Sequence, residues 1–121
     1  MKARRRWTQN QRIKVYNKTN GRCAYCGCKL DFNEMVLDHV VSLHNYGKDE
    51  IENLIASCRE CNYYKAGCNP DGFRKKLKKA FHREKVCAFV QKLKDKYGNN
   101  WNGVFYFENK SIGVVQDEKK N

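Results

Sequence analysis

"LDHVVSLHNYGKDEIENLIASCRECNYYK", residues 37–65, sets an aspartate and a histidine side by side in an apolar run and ends on a C-x-x-C pair followed by Asn62. A strand over residues 35–41 would point Asp38 and His39 to opposite faces, because side chains alternate along a strand. The two cannot then sink into one apolar core, so at least one of them has polar work or meets solvent. Asn53 and Asn62 follow downstream, which gives the stretch four hydrogen-bonding or oxygen-bearing side chains at fixed offsets.

Immediately upstream lies "CAYC" at 23–26, separated from "CREC" at 58–61 by 31 residues. Two pairs of equal spacing can each chelate one ion with adjacent thiolates, so Cys23, Cys26, Cys58 and Cys61 read as a tetrahedral sulfur site. Zn²⁺ suits four soft thiolates, and a closed shell leaves no position for substrate, so this metal would be structural. Of the seven cysteines, Cys28, Cys68 and Cys87 remain as ordinary reduced thiols. An odd count argues against a closed disulfide framework.

The chain of 121 residues is read as one domain, 1–121, whose modest core would gain from a metal staple. It carries 25 Lys and Arg against 13 Asp and Glu, a formal charge of +12 that points to a polyanionic partner. The charge is partitioned. Residues 1–22 hold eight basic residues and no acid, 23–65 hold four basic and seven acidic, 66–97 hold ten and three, and 98–121 hold three of each. Cations for a phosphate backbone are thus separated from anions for a divalent metal. No apolar run resembles a leader or a membrane span, so no membrane partner and a cytoplasmic setting, bacterial or phage-infected, are expected.

Thr8 reads as the cap of a helix over 9–18 with Ile13 and Tyr16 on one face, stopped by Asn20-Gly21. Residues 23–41 are expected to form a β-hairpin turning at 31–34. A short helix is expected near 52–56 and another from about residue 59. Phe73, Leu77 and Phe81, then Val86, Phe89, Val90, Leu93 and Tyr97, continue a helical stripe that either bends or breaks at 80–85. Residues 103–115 carry two β-prone runs around a polar turn, a C-terminal hairpin.

The order Asp38-His39, Gly47, Asn53-Leu54, Cys58, Cys61, Asn62, Lys65 resembles the core of the HNH endonucleases, the ββα-metal nucleases, in the subset supported by two C-x-x-C pairs. The match covers about 23–65 and departs from the family pattern at Ser42, His44 and Tyr46. Asn62 replaces a final His, a common alternative. The resemblance implies an α+β fold: a small zinc-stabilised ββα core, with flanking helices and the C-terminal hairpin added around it. It implies further that His39 activates water, that Asp38 and Asn62 bind Mg²⁺ or Mn²⁺, and that Asn53 holds the loop and orients His39. Products would carry a 5′ phosphate and a 3′ hydroxyl. The residue types agree: an imidazole titrating near neutrality suits a general base, and hard oxygens suit a hard cation.

The flanks would hold the substrate. Arg4, Arg5 and Arg6 with Arg12 and Lys14 form a basic arm and helix, and Arg74, Lys75, Lys78 and Lys79 lie on the helix face away from Phe73, Leu77 and Phe81. Lys65 reads equally as a phosphate contact or a solvated residue. The expected partner is DNA, double-stranded before RNA, and a homodimer is left open. Two alternatives stand beside this reading: a zinc-dependent nucleic-acid-binding module without activity, and an RNA-directed nuclease.

Overall fold

The structure, a computed structural model, describes residues 7–43, 46–98 and 100–109. Its first element is helix α1, Gln9–Lys18. Thr8 accepts from the Gln11 backbone at 3.1 Å while the Gln11 side chain accepts from the Thr8 backbone at 2.9 Å, a reciprocal cap that satisfies two N-terminal donors. The residue α1 buries is Val15; Ile13 is exposed and Tyr16 half-buried.

Strand β1, Val36–His39, pairs antiparallel with strand β2, Leu54–Ser57, with Asp38 opposite Ile55 and His39 opposite Leu54. The expected hairpin within 23–41 is not formed. Its first arm is instead a tight knuckle closed by a single bridge between Arg22 and Lys29, and Ala24 donates to Ala56 of β2 at 2.8 Å. The expected helix near 52–56 is likewise a 3-10 turn, Ile51–Asn53, running into β2. All four β2 residues are buried, and a short apolar run that is covered on both faces carries no period by which to tell strand from helix. Alternation sends Leu54 and Ala56 into a cluster with Val15 and Met35, whereas Ile55 joins the larger cluster on the opposite side. Trp7 packs at the edge of the smaller cluster.

Helix α2, Arg59–Lys65, follows β2 directly and completes the ββα unit. Helix α3, Pro70–Phe81, begins with proline in its first turn, where the missing N–H costs nothing, and buries Phe73, Leu77, Ala80 and Phe81. The stripe breaks rather than bends: α3 ends at His82, and helix α4, Ala88–Tyr97, starts afresh and buries Val90 and Leu93.

The C-terminal hairpin does not form in the described residues. Residues 106–108 make a 3-10 turn, and the second expected arm lies outside them. The backbone donors of Tyr106 and Phe107 are spent on Tyr25 (3.2 Å) and Ala24 (2.8 Å) of the knuckle, so no strand partner can use them. Phe105 stacks on Phe73 at 5.1 Å and meets Tyr25 edge-on at 5.1 Å, which seals the larger cluster. Among the described residues, no helix is long and apolar enough to cross a membrane.

Candidate metal centre and active site

Two centres flank α2. In the first, one sulfur from each of Cys23, Cys26, Cys58 and Cys61 lies within 4.8 Å of every other, with Cys26 and Cys58 at 3.9 Å. Sulfurs at about 2.3 Å from a tetrahedral Zn²⁺ would stand about 3.8 Å apart, so the four residues could hold such an ion with little movement. Cys58 also caps α2, its sulfur accepting from the Cys61 backbone at 3.4 Å. Contact with Cys23 raises the Cys58 thiol, but those with Cys26, Cys28 and Cys61 bring it down to about 4. Cys23 is raised by burial, yet hydrogen bonds from its sulfur neighbours carry it well below the usual thiol range. Cys26 and Cys61 are pushed far up, first by the contact with Cys23. A cation held by all four sulfurs must therefore displace protons from the cluster. Cys28 lies beside the four and is not among them.

The second centre gathers at the end of β1. Asp38 is 7% exposed and its carboxylate is fully engaged on one side: Oδ2 accepts from the Tyr25 hydroxyl at 2.7 Å and pairs with Lys65 Nζ at 3.2 Å. Among the described residues, Oδ1 accepts only from Asn62 Nδ2, at 3.1 Å. A carboxylate oxygen offers two lone pairs, so Oδ1 keeps one for a cation, and the Asn62 amide, which faces Asp38 with its nitrogen, would add its oxygen as a ligand by turning over. These two hard oxygens fit Mg²⁺ or Mn²⁺ better than a soft metal, and so few protein ligands would leave room for water and phosphate. Burial, and then the Asp38 charge, push the Tyr25 hydroxyl well above the usual range, so Tyr25 remains a donor to Asp38.

His39 turns to the other face of β1, as alternation requires. Its Nε2 lies 2.9 Å from Asp49 Oδ1, and among the described residues Nδ1 has no hydrogen-bond partner. A carboxylate is an acceptor, so Nε2 carries the hydrogen and Nδ1 the free lone pair. Asn53 ties the intervening loop: its Oδ1 accepts from Val41 N at 2.9 Å, and its Nδ2 donates to Val41 O at 2.9 Å and Lys48 O at 2.7 Å. Gly47 closes the same loop by donating to Ser42 O at 2.9 Å, and a Cβ on Gly47 would lie 1.8 Å from Val41 O. Tyr46, where the family pattern has glycine, adopts a left-handed φ of 67° and is 96% exposed.

The structure joins Asn62 to Asp38, sets His39 on the other face of β1 against Asp49, and places Asn53 on the loop between His39 and β2. It corrects the reading of two cations. Lys65 is fully buried, held by Asp38 and by the His39 carbonyl at 3.4 Å, and has no approach to a phosphate in solvent. Arg74 forks onto Glu108 at 2.6 and 3.0 Å and reaches Asp71 at 2.9 Å, so its guanidinium ties the C-terminal turn to α3. Arg12 lies over the Phe32 ring at 5.2 Å, part of its charge turned inward. Lys14, Lys75, Lys78 and Lys79 are exposed; Arg4, Arg5 and Arg6, together with His44, lie outside the described residues. Three site residues went unseen in the sequence: Tyr25, because it sits between two zinc-ligand candidates and reads as filler; Asp49, because its loop is acidic throughout; and Lys65 as a buried partner of Asp38.

Residues 23–66 match the family model described as HNH endonuclease. That segment is similar to an HNH domain. A curated relative, the CRISPR-associated endonuclease Cas9 of Corynebacterium diphtheriae, is 36% identical over 55 residues, 45% of this chain and 5% of that protein. The chain therefore spans a small fraction of the relative it matches. Among solved structures, the type II-C Cas9 enzyme from Actinomyces naeslundii overlaps 77% of this chain and 13% of its own, with a TM-score of 0.49 and 18% identity. The β1–β2–α2 unit and the cysteine cluster beside it are the ββα architecture of the HNH domain.

Proposed function

We propose that this protein is a metal-dependent endonuclease that hydrolyses DNA phosphodiester bonds, with zinc in the cysteine cluster as a structural ion and Mg²⁺ or Mn²⁺ bound by Asp38 and Asn62. The observation that carries the reading is what stands at one end of β1: a buried carboxylate whose Oδ1 is bonded to the Asn62 amide alone among the described residues, and, at the next position, an imidazole whose Nδ1 has no partner among them. The likeness of residues 23–66 to the HNH family and to a protein named an endonuclease supports it.

His39 Nδ1 takes the proton of the attacking water. Asp49 holds Nε2–H, sets the tautomer and steadies the imidazolium that forms. Lys65 and Tyr25 hold Oδ2 of Asp38, which leaves Oδ1 for a cation, and the Asn62 amide would turn its oxygen to join it. A divalent ion held there by Asp38 and Asn62 would supply charge neutralisation at the scissile phosphate and the leaving 3′ oxygen. Asn53 keeps the loop that carries Asp49 against the strand that carries His39. The exposed cations Lys14, Lys75, Lys78 and Lys79, with Arg4, Arg5 and Arg6, hold the backbone electrostatically. Such an enzyme would act in the cytoplasm of a bacterium.

Supercoiled plasmid incubated with zinc-loaded protein and Mg²⁺, Mn²⁺ or no added ion tests this. Metal-dependent conversion to nicked or linear plasmid that is lost in His39→Ala is expected, with a fall of about 10²–10⁴-fold. Tight, salt-sensitive binding with no conversion under any ion would instead favour a binding module.

A further inference from the structure

A groove of about 580 Å³ opens between the outer faces of α2 and α3, lined by Tyr63, Tyr64, Ala66, Lys76, Lys79 and Arg83. Its chemistry is uneven. Tyr64 turns inward, tilted against Phe89 at 5.4 Å and Phe73 at 6.2 Å, and Lys76 is held over it, 5.3 Å from the ring and donating to its carbonyl at 2.7 Å. Tyr63 does the opposite: it is 87% exposed, and among the described residues it has no ring, hydrogen-bond or ionic partner. Lys79 and Arg83 are exposed across the groove and likewise unpaired among the described residues, and none of the lining side chains is acidic. A free aromatic face beside unpaired cations matches a ligand with a π-face and a negative charge close together. A cationic ligand would be repelled.

Tyr63 follows Asn62 directly in the chain, so the groove starts about 3.8 Å along the backbone from a residue of the proposed cleavage site. In a duplex the base faces are covered by their neighbours, and a protein ring can reach one only when the strand is unpaired. We propose that this groove binds an unpaired strand of nucleic acid next to the cleavage site, with a base stacked on Tyr63 and backbone phosphates against Lys79 and Arg83. This deepens, and rests on, the nuclease reading: the preferred substrate carries a single-stranded stretch beside the scissile bond.

The test is the anisotropy of a labelled oligonucleotide, single-stranded or annealed to its complement, titrated with the zinc-loaded chain without added Mg²⁺. Tyr63→Ala should weaken single-strand binding about tenfold and duplex binding by less than about twofold, and Tyr63→Phe, which keeps the ring, should restore it. Lys79→Gln with Arg83→Gln should flatten the single-strand salt dependence by a slope of about 1.4. Equal losses on both substrates, or no loss in Tyr63→Ala, would overturn the proposal. Binding is read without turnover, so a chain that cleaves nothing can still stack a base, and a chain that cleaves plasmid normally can still fail to do so.

Discussion

Cys58 caps α2 and Cys61 lies in its first turn, while Asn62 and Lys65 of the same seven residues reach across to Asp38. The cysteine cluster and the Asp38 centre are therefore neighbours built on one short helix, yet they are opposite in kind. The first supplies all four ligands a tetrahedral ion needs, and three of its four cysteines are buried. The second supplies two oxygens, buries its carboxylate and leaves its imidazole half open. A complete ligand set stabilises a fold, and an incomplete one leaves places for reactants; because α2 carries residues of both, the cluster would position the proposed cleavage site.

The sharpest way to break that division is to remove a sulfur. Cys58→Ser should abolish stoichiometric zinc and cost on the order of 10 kcal/mol of folding free energy, read as lost helical circular dichroism and lost metal by elemental analysis. A folded, zinc-free variant would detach the cluster from stability. Next comes Lys65→Met, which leaves the buried Asp38 carboxylate without its cation; urea unfolding of the zinc-loaded protein should report a loss of about 3–5 kcal/mol. A loss no larger than that of an exposed lysine would mean that the Asp38 centre carries no structural burden at all.

Smaller effects sharpen the contrast rather than break it. Asp49→Asn should leave zinc content and unfolding unchanged and slow plasmid cleavage roughly tenfold to a hundredfold, because the imidazolium loses its carboxylate. Zinc affinity should rise with pH. Contacts among the sulfurs hold Cys26 and Cys61 above the usual thiol range, so binding as thiolates must release protons. Competition against a chelator should then show affinity climbing with pH near neutrality, and a flat profile would mean that no thiol gives up a proton on binding.

What could be read from the residues beforehand follows the range of the interaction. Thr8 and Gln11 interact three positions apart, and Phe73, Leu77 and Phe81 share one helix face, so α1 and the stripe of α3 were visible. The cysteine pairs were visible by spacing, and Asp38, His39, Asn53 and Asn62 were singled out by the resemblance to the HNH family. The pairing of β1 was not: its partner is β2, beyond the loop, and Leu54–Ser57 is buried on both faces and so lacks the alternation of a half-buried strand. Nor was the environment of Asp38, whose partners Tyr25 and Lys65 lie 13 residues before it and about the length of the ββα unit after it. Arg74 looked like part of a basic face because Glu108, its partner, lies 34 residues away.

For anyone building a variant library, Gly47 defines a blank column. The φ of Gly47 is unexceptional and the obstacle is room, since the first carbon of any side chain would overlap the Val41 carbonyl that Asn53 also grips. Randomising position 47 would return the parent letter alone among folded clones, whereas Tyr46 beside it, fully out in solvent at a φ that glycine takes without strain, is the place where one substitution could relax the loop.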